Sequence, residues 1–273
     1  MSSRRELVEA LARWGHGSEV VRAAWLGGSD ANGRADALSD IDILVLCAEG
    51  AVEACIASLR GCLAALHPVA IDLRLPMPTW HGFDQGFIQL GGLPESLMVD
   101  WLVIEVGRPH PWFEVERHGT PVVLVDRDGL VRPGAADRAA LLAAAERRLH
   151  EACTKFALFR HLPGKFARRG LPVDAAHFHH ALVVRTLVDV LRSVHCPDRF
   201  DFGPRYLADD LPAGVYARLM PLLYPAGPDA IEGLVAEASA MLDEAVAEWQ
   251  ARCADATDRR GHAAPTTASG PAH

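Results

Sequence analysis

The chain has 273 residues, 50% of them hydrophobic and 23% charged, with a formal net charge of −8 at pH 7. That length can hold two modest domains with real cores, while the acidic balance argues against the basic stripe of a nucleic-acid-binding protein. There is no uncharged apolar run of about 18 residues, and Met1-Ser2-Ser3-Arg4-Arg5-Glu6 lacks the apolar stretch of a leader peptide, so the expectation is a cytoplasmic protein without a membrane span.

Taken in order, Leu7, Val8, Leu11 and Trp14 share one side of a helix over 3–14 that Gly15-His16-Gly17 ends. Residues 19–26 lead through the apolar run Ala23-Ala24-Trp25-Leu26 into Gly27-Gly28-Ser29. A polar, Gly-containing loop follows, and then Asp40-Ile41-Asp42-Ile43-Leu44-Val45-Leu46, which reads as a strand reaching about Cys47. Helical spacing of Val52, Cys55, Ile56, Leu59, Cys62, Leu63 and Leu66 predicts a helix over 51–66, punctuated by Pro68. Residues 69–75 alternate like a strand, and 76–82 form a loop. Two apolar runs, 86–90 and 97–106, around a Gly/Pro turn predict a hairpin. Residues 121–125 predict a last strand, and Asp126 and Asp128 of Asp126-Arg127-Asp128-Gly129 read as turn chemistry.

From about 136 the pattern is helical. The sequence predicts helices over 136–162, broken by Pro163-Gly164, then over 173–194, then in short pieces to about 224, and finally over 228–250. The residues beyond have no periodicity and are expected to be disordered. His177 and His180 share a helical face, but a third ligand of fitting spacing is missing, so surface or acceptor-lining histidines are expected rather than zinc. Trp80, His81, Trp101 and Trp112 fit either a substrate pocket or a core. The six cysteines are scattered with no Cys-x-x-Cys pair, which predicts reduced thiols and no disulfide framework.

The chemistry concentrates between residues 27 and 42. On a strand, Asp40 and Asp42 project to the same face and repel each other unless a cation lies between them. Magnesium takes such oxygen ligands and keeps positions open for substrate phosphates. Glycines 27 and 28 let the backbone approach a ligand closely, and Ser29 adds a hydroxyl. Asp100 interrupts an otherwise apolar strand, where a charge is costly unless it meets a partner.

Gly28-Ser29, a short loop and then Asp40-Ile41-Asp42 on a strand resemble the nucleotidyltransferases of the DNA polymerase beta superfamily. The Leu124-Val125-Asp126-Arg127-Asp128-Gly129 segment and the helical half that follows resemble bacterial aminoglycoside adenylyltransferases with a helical C-terminal domain. The resemblance implies an α+β fold: a nucleotidyltransferase domain over 1–134 with a mixed sheet and flanking helices, an all-α domain over 135–252, and a tail over 253–273. It implies a third metal carboxylate on a neighbouring strand, for which Asp100 is the better match and Asp72 the rival. The chain has two lysines, Lys155 and Lys165, and Lys165 stands before Arg168-Arg169-Gly170, where such relatives often have a lysine, so Lys165, with Arg168 or Arg169, is expected to reach the nucleotide phosphates. The implied reaction is magnesium-dependent transfer of a nucleoside monophosphate, AMP from ATP, to a hydroxyl of a small acceptor of the aminoglycoside type. Asp40, Asp42 and Asp100 would hold magnesium, Gly28, Ser29 and Lys165 the phosphates, and Glu95 or Glu105 would act as general base. No nucleic-acid or membrane partner is implied, and the chain is expected as a monomer or homodimer. The alternative is the nucleotidyltransferase module of a toxin–antitoxin pair that modifies a protein.

Overall fold

The computed structural model describes residues 4–261. The chain divides into two compact units, Met1–Ala136 and Asp137–His273. The first unit runs α1 (Arg4–Gly17), β1 (Val21–Leu26), α2 (Gly28–Ala31), β2 (Ile41–Cys47), α3 (Val52–Leu66), β3 (Val69–Arg74), β4 (Asp84–Leu90), β5 (Met98–Glu105), α4 (Val115–His118) and β6 (Val122–Asp126). Its six strands make one sheet in the order β3-β4-β5-β2-β1-β6. Only β2 and β5 pair in parallel, and the other four pairings are antiparallel. The architecture is therefore a mixed sheet with flanking helices, followed by a helical unit.

β2 is a central strand, and its sequence shows why: Ile43 through Cys47 are all buried, because both faces of the sheet are covered there. On one face Ile41, Ile43, Val45, Val99, Trp101 and Val103 pack against Leu7 and Leu11 of α1 and Cys55, Ile56, Leu59 and Leu63 of α3. On the other, Ala23, Trp25, Leu44, Leu46, Leu102 and Ile104 gather with Phe83 and with Trp112, Phe113, Leu130 and Val131 from the connecting segments. Gly86 lets the Trp101 ring lie flat on β4; a β-carbon there would come within 2.3 Å of the indole. Asp126 accepts the amides of Leu130 (2.8 Å) and Val131 (3.1 Å), which closes the turn after β6. Asp128 pairs with Arg22.

The second unit comprises α5 (Arg138–Phe159), α6 (Leu162–Arg168), α7 (Pro172–Phe178), α8 (Arg185–His195), α9 (Leu207–Asp210), α10 (Ala213–Leu219) and α11 (Ile231–Gly261). Its core draws Leu149 and Phe156 of α5, Leu187, Val190, Leu191 and Val194 of α8, and Ala238, Met241 and Ala245 of α11. Three details depart from the sequence reading. Pro163-Gly164 opens α6 rather than ending a helix, because proline is tolerated in a first turn, where its missing N–H has no intrahelical partner. A π-helical stretch, His179–Val184, joins α7 to α8 and turns His179 into the core. α11 continues to Gly261, so the expected tail boundary at 252/253 falls inside a helix; residues 262–273 of that tail lie outside the described residues.

One charged group organises the segment after α8. Arg192, fully buried, donates to the carbonyls of Arg199 (3.2 Å), Gly203 (2.5 Å) and Arg205 and pairs with Asp210 at 2.9 Å. Asp210 also receives Arg199. Replacing Asp210 with Ala strands the buried Arg192 charge, and the loss expected from urea unfolding of the full chain is about 3–5 kcal/mol.

Two histidines make the second unit acid-sensitive. Burial pushes the imidazole pKa of His179 and of His195 below the ordinary value of 6.5. The folded state keeps them neutral, so the unfolded chain binds more protons as pH falls below 6.5. Stability is present above that value and declines beneath it. The urea midpoint is expected to drop between pH 7 and pH 5, with a smaller drop in His179→Gln, which keeps a donor for the Leu222 carbonyl (2.8 Å from Nε2).

Candidate active site

β1 leaves the sheet at Gly27, whose N–H donates to the Asp42 carbonyl at 2.9 Å, so the turn starts already bound to β2. Gly28 follows in the left-handed region, φ +48°, pressed on the Asp42 carboxylate: a β-carbon there would lie 1.7 Å from Oδ2. Only glycine meets both demands. The single turn of α2 is closed by Ala31 N–H to the Gly27 carbonyl (3.1 Å) and Asn32 Nδ2 to the Gly28 carbonyl (2.7 Å). It is buttressed from the α4 end, where Thr120 N–H reaches the Ala31 carbonyl at 2.9 Å. Gly119 touches the same carbonyl so closely that a β-carbon would approach it to 2.4 Å. Within this turn the Ser29 Oγ is buried and has no hydrogen-bond partner.

Asp42 and Asp100 stand directly opposite each other on β2 and β5. Parallel neighbours sit about 4.8 Å apart with side chains on the same face, here the face that carries Leu44 and Leu102. Two like charges so placed repel. Asp100 is held by Gln85, whose Nε2 donates to Oδ1 at 2.9 Å and Oδ2 at 3.2 Å. Gln85 in turn meets His81 Nε2 at 3.0 Å. His81 belongs to an aromatic group on this face: it stacks with Phe83 (ring centroids 5.8 Å) and meets Trp112 edge-on (5.8 Å), which continues to His110 and Phe113.

The remaining predicted residues have their own local surroundings. Asp40 is half-buried and lies one residue before β2, its carbonyl accepting Arg4 Nε and Nη2 at 3.2 and 3.0 Å. The same guanidinium pairs with Asp30, which ties the end of the loop to its beginning. Among the described residues no group of three or more His, Cys, Asp and Glu side chains is gathered as a metal centre, while Asp42 and Asp100 stand in one row of the sheet and Asp40 precedes Asp42 by two positions on the segment entering β2. Asp72 is opposite Ile88, which is opposite Val99, a row on the α3 side of the sheet; it pairs with Arg60 of α3 at 2.7 Å. It does not share a face with Asp42. Glu105 ends β5 level with Cys47 and accepts the Gly50 amide at 2.8 Å, about 16 Å along the strand from Asp100. That removes it as a base beside the pair. Glu95 is exposed in the β4–β5 turn. Lys165, in α6 of the second unit, carries its ammonium over the Phe166 ring at 6.0 Å. Exposed His177 and His180 agree with the surface reading, and Trp101 is core while Trp80 is 84% exposed.

Gln85 as the partner of Asp100, and His81 as the partner of Gln85, are not legible in the sequence. The sequence places the strand from 86, whereas β4 begins at Asp84, and only the observed register shows that Gln85 faces the pair.

No family model matches the chain, and no curated protein does. Among solved structures, an aminoglycoside 6-adenyltransferase from Bacillus subtilis is similar over 93% of this chain and 92% of that one, with 14% sequence identity and a TM-score of 0.40. A likeness of that size says nothing about the site, which stands on its own residues.

Gly28→Ala is expected to force Asp42 or the turn out of place. Left-handed strain and the collision together predict a loss of roughly 1–3 kcal/mol in thermal unfolding, with a displaced residue 27–32 segment in a crystal structure of the variant.

Proposed function

We propose that this chain is a nucleotidyltransferase, moving AMP from ATP to a hydroxyl of a small acceptor. The observation that supports this most is the close approach of the Gly28 turn to Asp42, which is in register with Asp100. The Gly28-Ser29 turn and Asp42 of the Asp40-Ile41-Asp42 motif, in the order that the resemblance to the DNA polymerase beta superfamily requires, share one end of the sheet with Asp100.

The donor set fits a hard divalent cation. It consists of two carboxylates beside a buried serine hydroxyl that has no hydrogen-bond partner. Magnesium is commonly held by one or two carboxylates and completes its shell with water and substrate phosphate oxygens. Asp42 and Asp100 would hold it, and when bound it supplies charge neutralisation at the transferred phosphorus. Gly28, without a side chain, leaves room for a phosphate to approach the backbone, and Ser29 Oγ donates to a phosphate oxygen. The acceptor hydroxyl oxygen forms a bond to the α-phosphorus and gives up its proton to solvent, as the bond to the bridging oxygen breaks and pyrophosphate departs. Positioning and electrostatics carry such a reaction, so fixed carboxylates matter more than covalent chemistry.

For the acceptor we favour a cationic small molecule of the aminoglycoside class. The net charge of −8 attracts cations, and the carboxylate pair and the ring group of Phe83, His81 and Trp112 sit on the same sheet face. The test is α-phosphate-labelled ATP with Mg2+ and a panel of aminoglycosides, lincosamides and candidate proteins. Labelled drug is the expected result; labelled protein alone would overturn the acceptor class, and no transfer at all would overturn the enzyme. Asp42→Ala and Asp100→Asn should each lower kcat by about 10²–10³-fold, the size seen when one preorganised electrostatic group is removed. Asp72→Ala should leave turnover unchanged.

A further inference from the structure

We propose that Gln85 is the positioning residue for Asp100, and that His81 dictates which end of the Gln85 amide faces it. This rests on the nucleotidyl-transfer reading, because it assigns Asp100 a task that needs a fixed carboxylate.

The polarity of the series follows from one group that cannot reverse. The Phe83 backbone N–H points at His81 Nδ1 at 3.1 Å, and a main-chain amide only donates. Nδ1 is therefore the acceptor, and a neutral imidazole must then carry its proton on Nε2. That proton points at Gln85, 3.0 Å away, so Gln85 presents its carbonyl Oε1 to His81. The amide nitrogen is left for Asp100, and it reaches both carboxylate oxygens. Thr79 does not compete, since its hydroxyl hydrogen goes to the Phe83 carbonyl at 2.7 Å.

The consequence is mechanical. An Asp side chain on a strand is free to rotate about its last bond, with broad preferences at that torsion. Two bonds from one amide nitrogen fix the carboxylate plane. Register supports the placement: Gln85 is opposite Leu102, two residues from Asp100, so both side chains stand on one face of adjacent strands. A residue needed only to fill this half-buried space could be apolar. Partners of this kind around a site typically matter by about 10–100-fold in metal affinity or activity.

The experiment compares wild type, Gln85→Leu, His81→Leu and His81→Gln. Mn2+ binding is followed by electron paramagnetic resonance in the presence of α,β-methylene-ATP, alongside transfer kinetics and thermal unfolding. Gln85→Leu is expected to weaken Mn2+ binding and lower kcat by about 10–100-fold, with KM for ATP within about two-fold of wild type and an unfolding midpoint close to wild type. His81→Leu should show a smaller loss in the same readouts, and His81→Gln, which restores an N–H near the Nε2 position, should recover most of it. Wild-type Mn2+ binding and kcat in Gln85→Leu would overturn the proposal. So would a loss that follows a lowered unfolding midpoint, or His81→Gln behaving no better than His81→Leu. If wild type itself neither binds Mn2+ with the nucleotide analogue nor transfers label, the nucleotidyl-transfer reading falls and takes this one with it, a result distinct from an active wild type with indifferent variants.

Discussion

The contact between Gly28 and the Asp42 carboxylate governs the first unit. A charged group near the start of a buried central strand would be expensive alone, yet here the backbone turn after β1 is folded down onto it. That close approach fixes where β1 leaves the sheet, and the Gly27 amide on the Asp42 carbonyl locks the same point from the main chain. Because β2 pairs in parallel with β5, the carboxylate so placed is matched by Asp100 in the next strand, and the ridge of two acids results from topology. Parallel pairing needs a long crossover, and α3, β3 and β4 supply it; β4 then returns beside β5 and brings Gln85 to the pair.

The supports of this site come from distant points of the chain. Arg4 at the start of α1 reaches both Asp30 and the carbonyl of Asp40, clasping the two ends of the loop between α2 and β2. Within that loop Asp36 accepts the Leu38 amide (2.9 Å) and the Ser39 hydroxyl (3.1 Å), and these bonds hold its carboxyl below the ordinary carboxylate range. Thr120 and Gly119 hold the far side of α2. None of these residues needs to touch a substrate to matter, since their joint effect is to keep the turn and the acidic strand at a fixed spacing.

Much of this was legible from residue pattern. The alternation in 69–75, the Ile/Val/Leu run after Asp42 and the helical spacing over 51–66 each reported the local periodicity that the fold uses, and the structure has β3, β2 and α3 there. Asp100 stood out because a charge in an apolar strand needs a reason. What pattern could not give was pairing. Asp72 and Asp100 look alike as isolated acids in strands, and only strand order shows that one faces α3 and the other faces Asp42. Glu105 looked close to Asp100 in sequence but lies at the other end of β5, on a main-chain amide. Asp40 was counted as part of the strand, one residue before the ladder begins. In the helical unit, Pro163 was read as a stop when it is a start, an ambiguity inherent in a residue that suits first turns and forbids later ones.

Arg192 has a consequence for how the helical unit can vary. Its guanidinium gathers carbonyl oxygens from positions 199, 203 and 205, and Asp210 is the lone acidic side chain in the set it binds. Carbonyl groups are the same whatever the residue, so much of this connecting loop is specified by its path, with the Cys196 thiol and the Arg199 side chain as the exceptions that also meet Arg192 or Asp210. Substitutions along that loop away from Cys196 and Arg199 are cheap where they keep the path, while a one-residue insertion or deletion moves the carbonyl acceptors out of the reach of a single rigid fork. Two positions, 192 and 210, thus carry the length constraint for a whole stretch of chain.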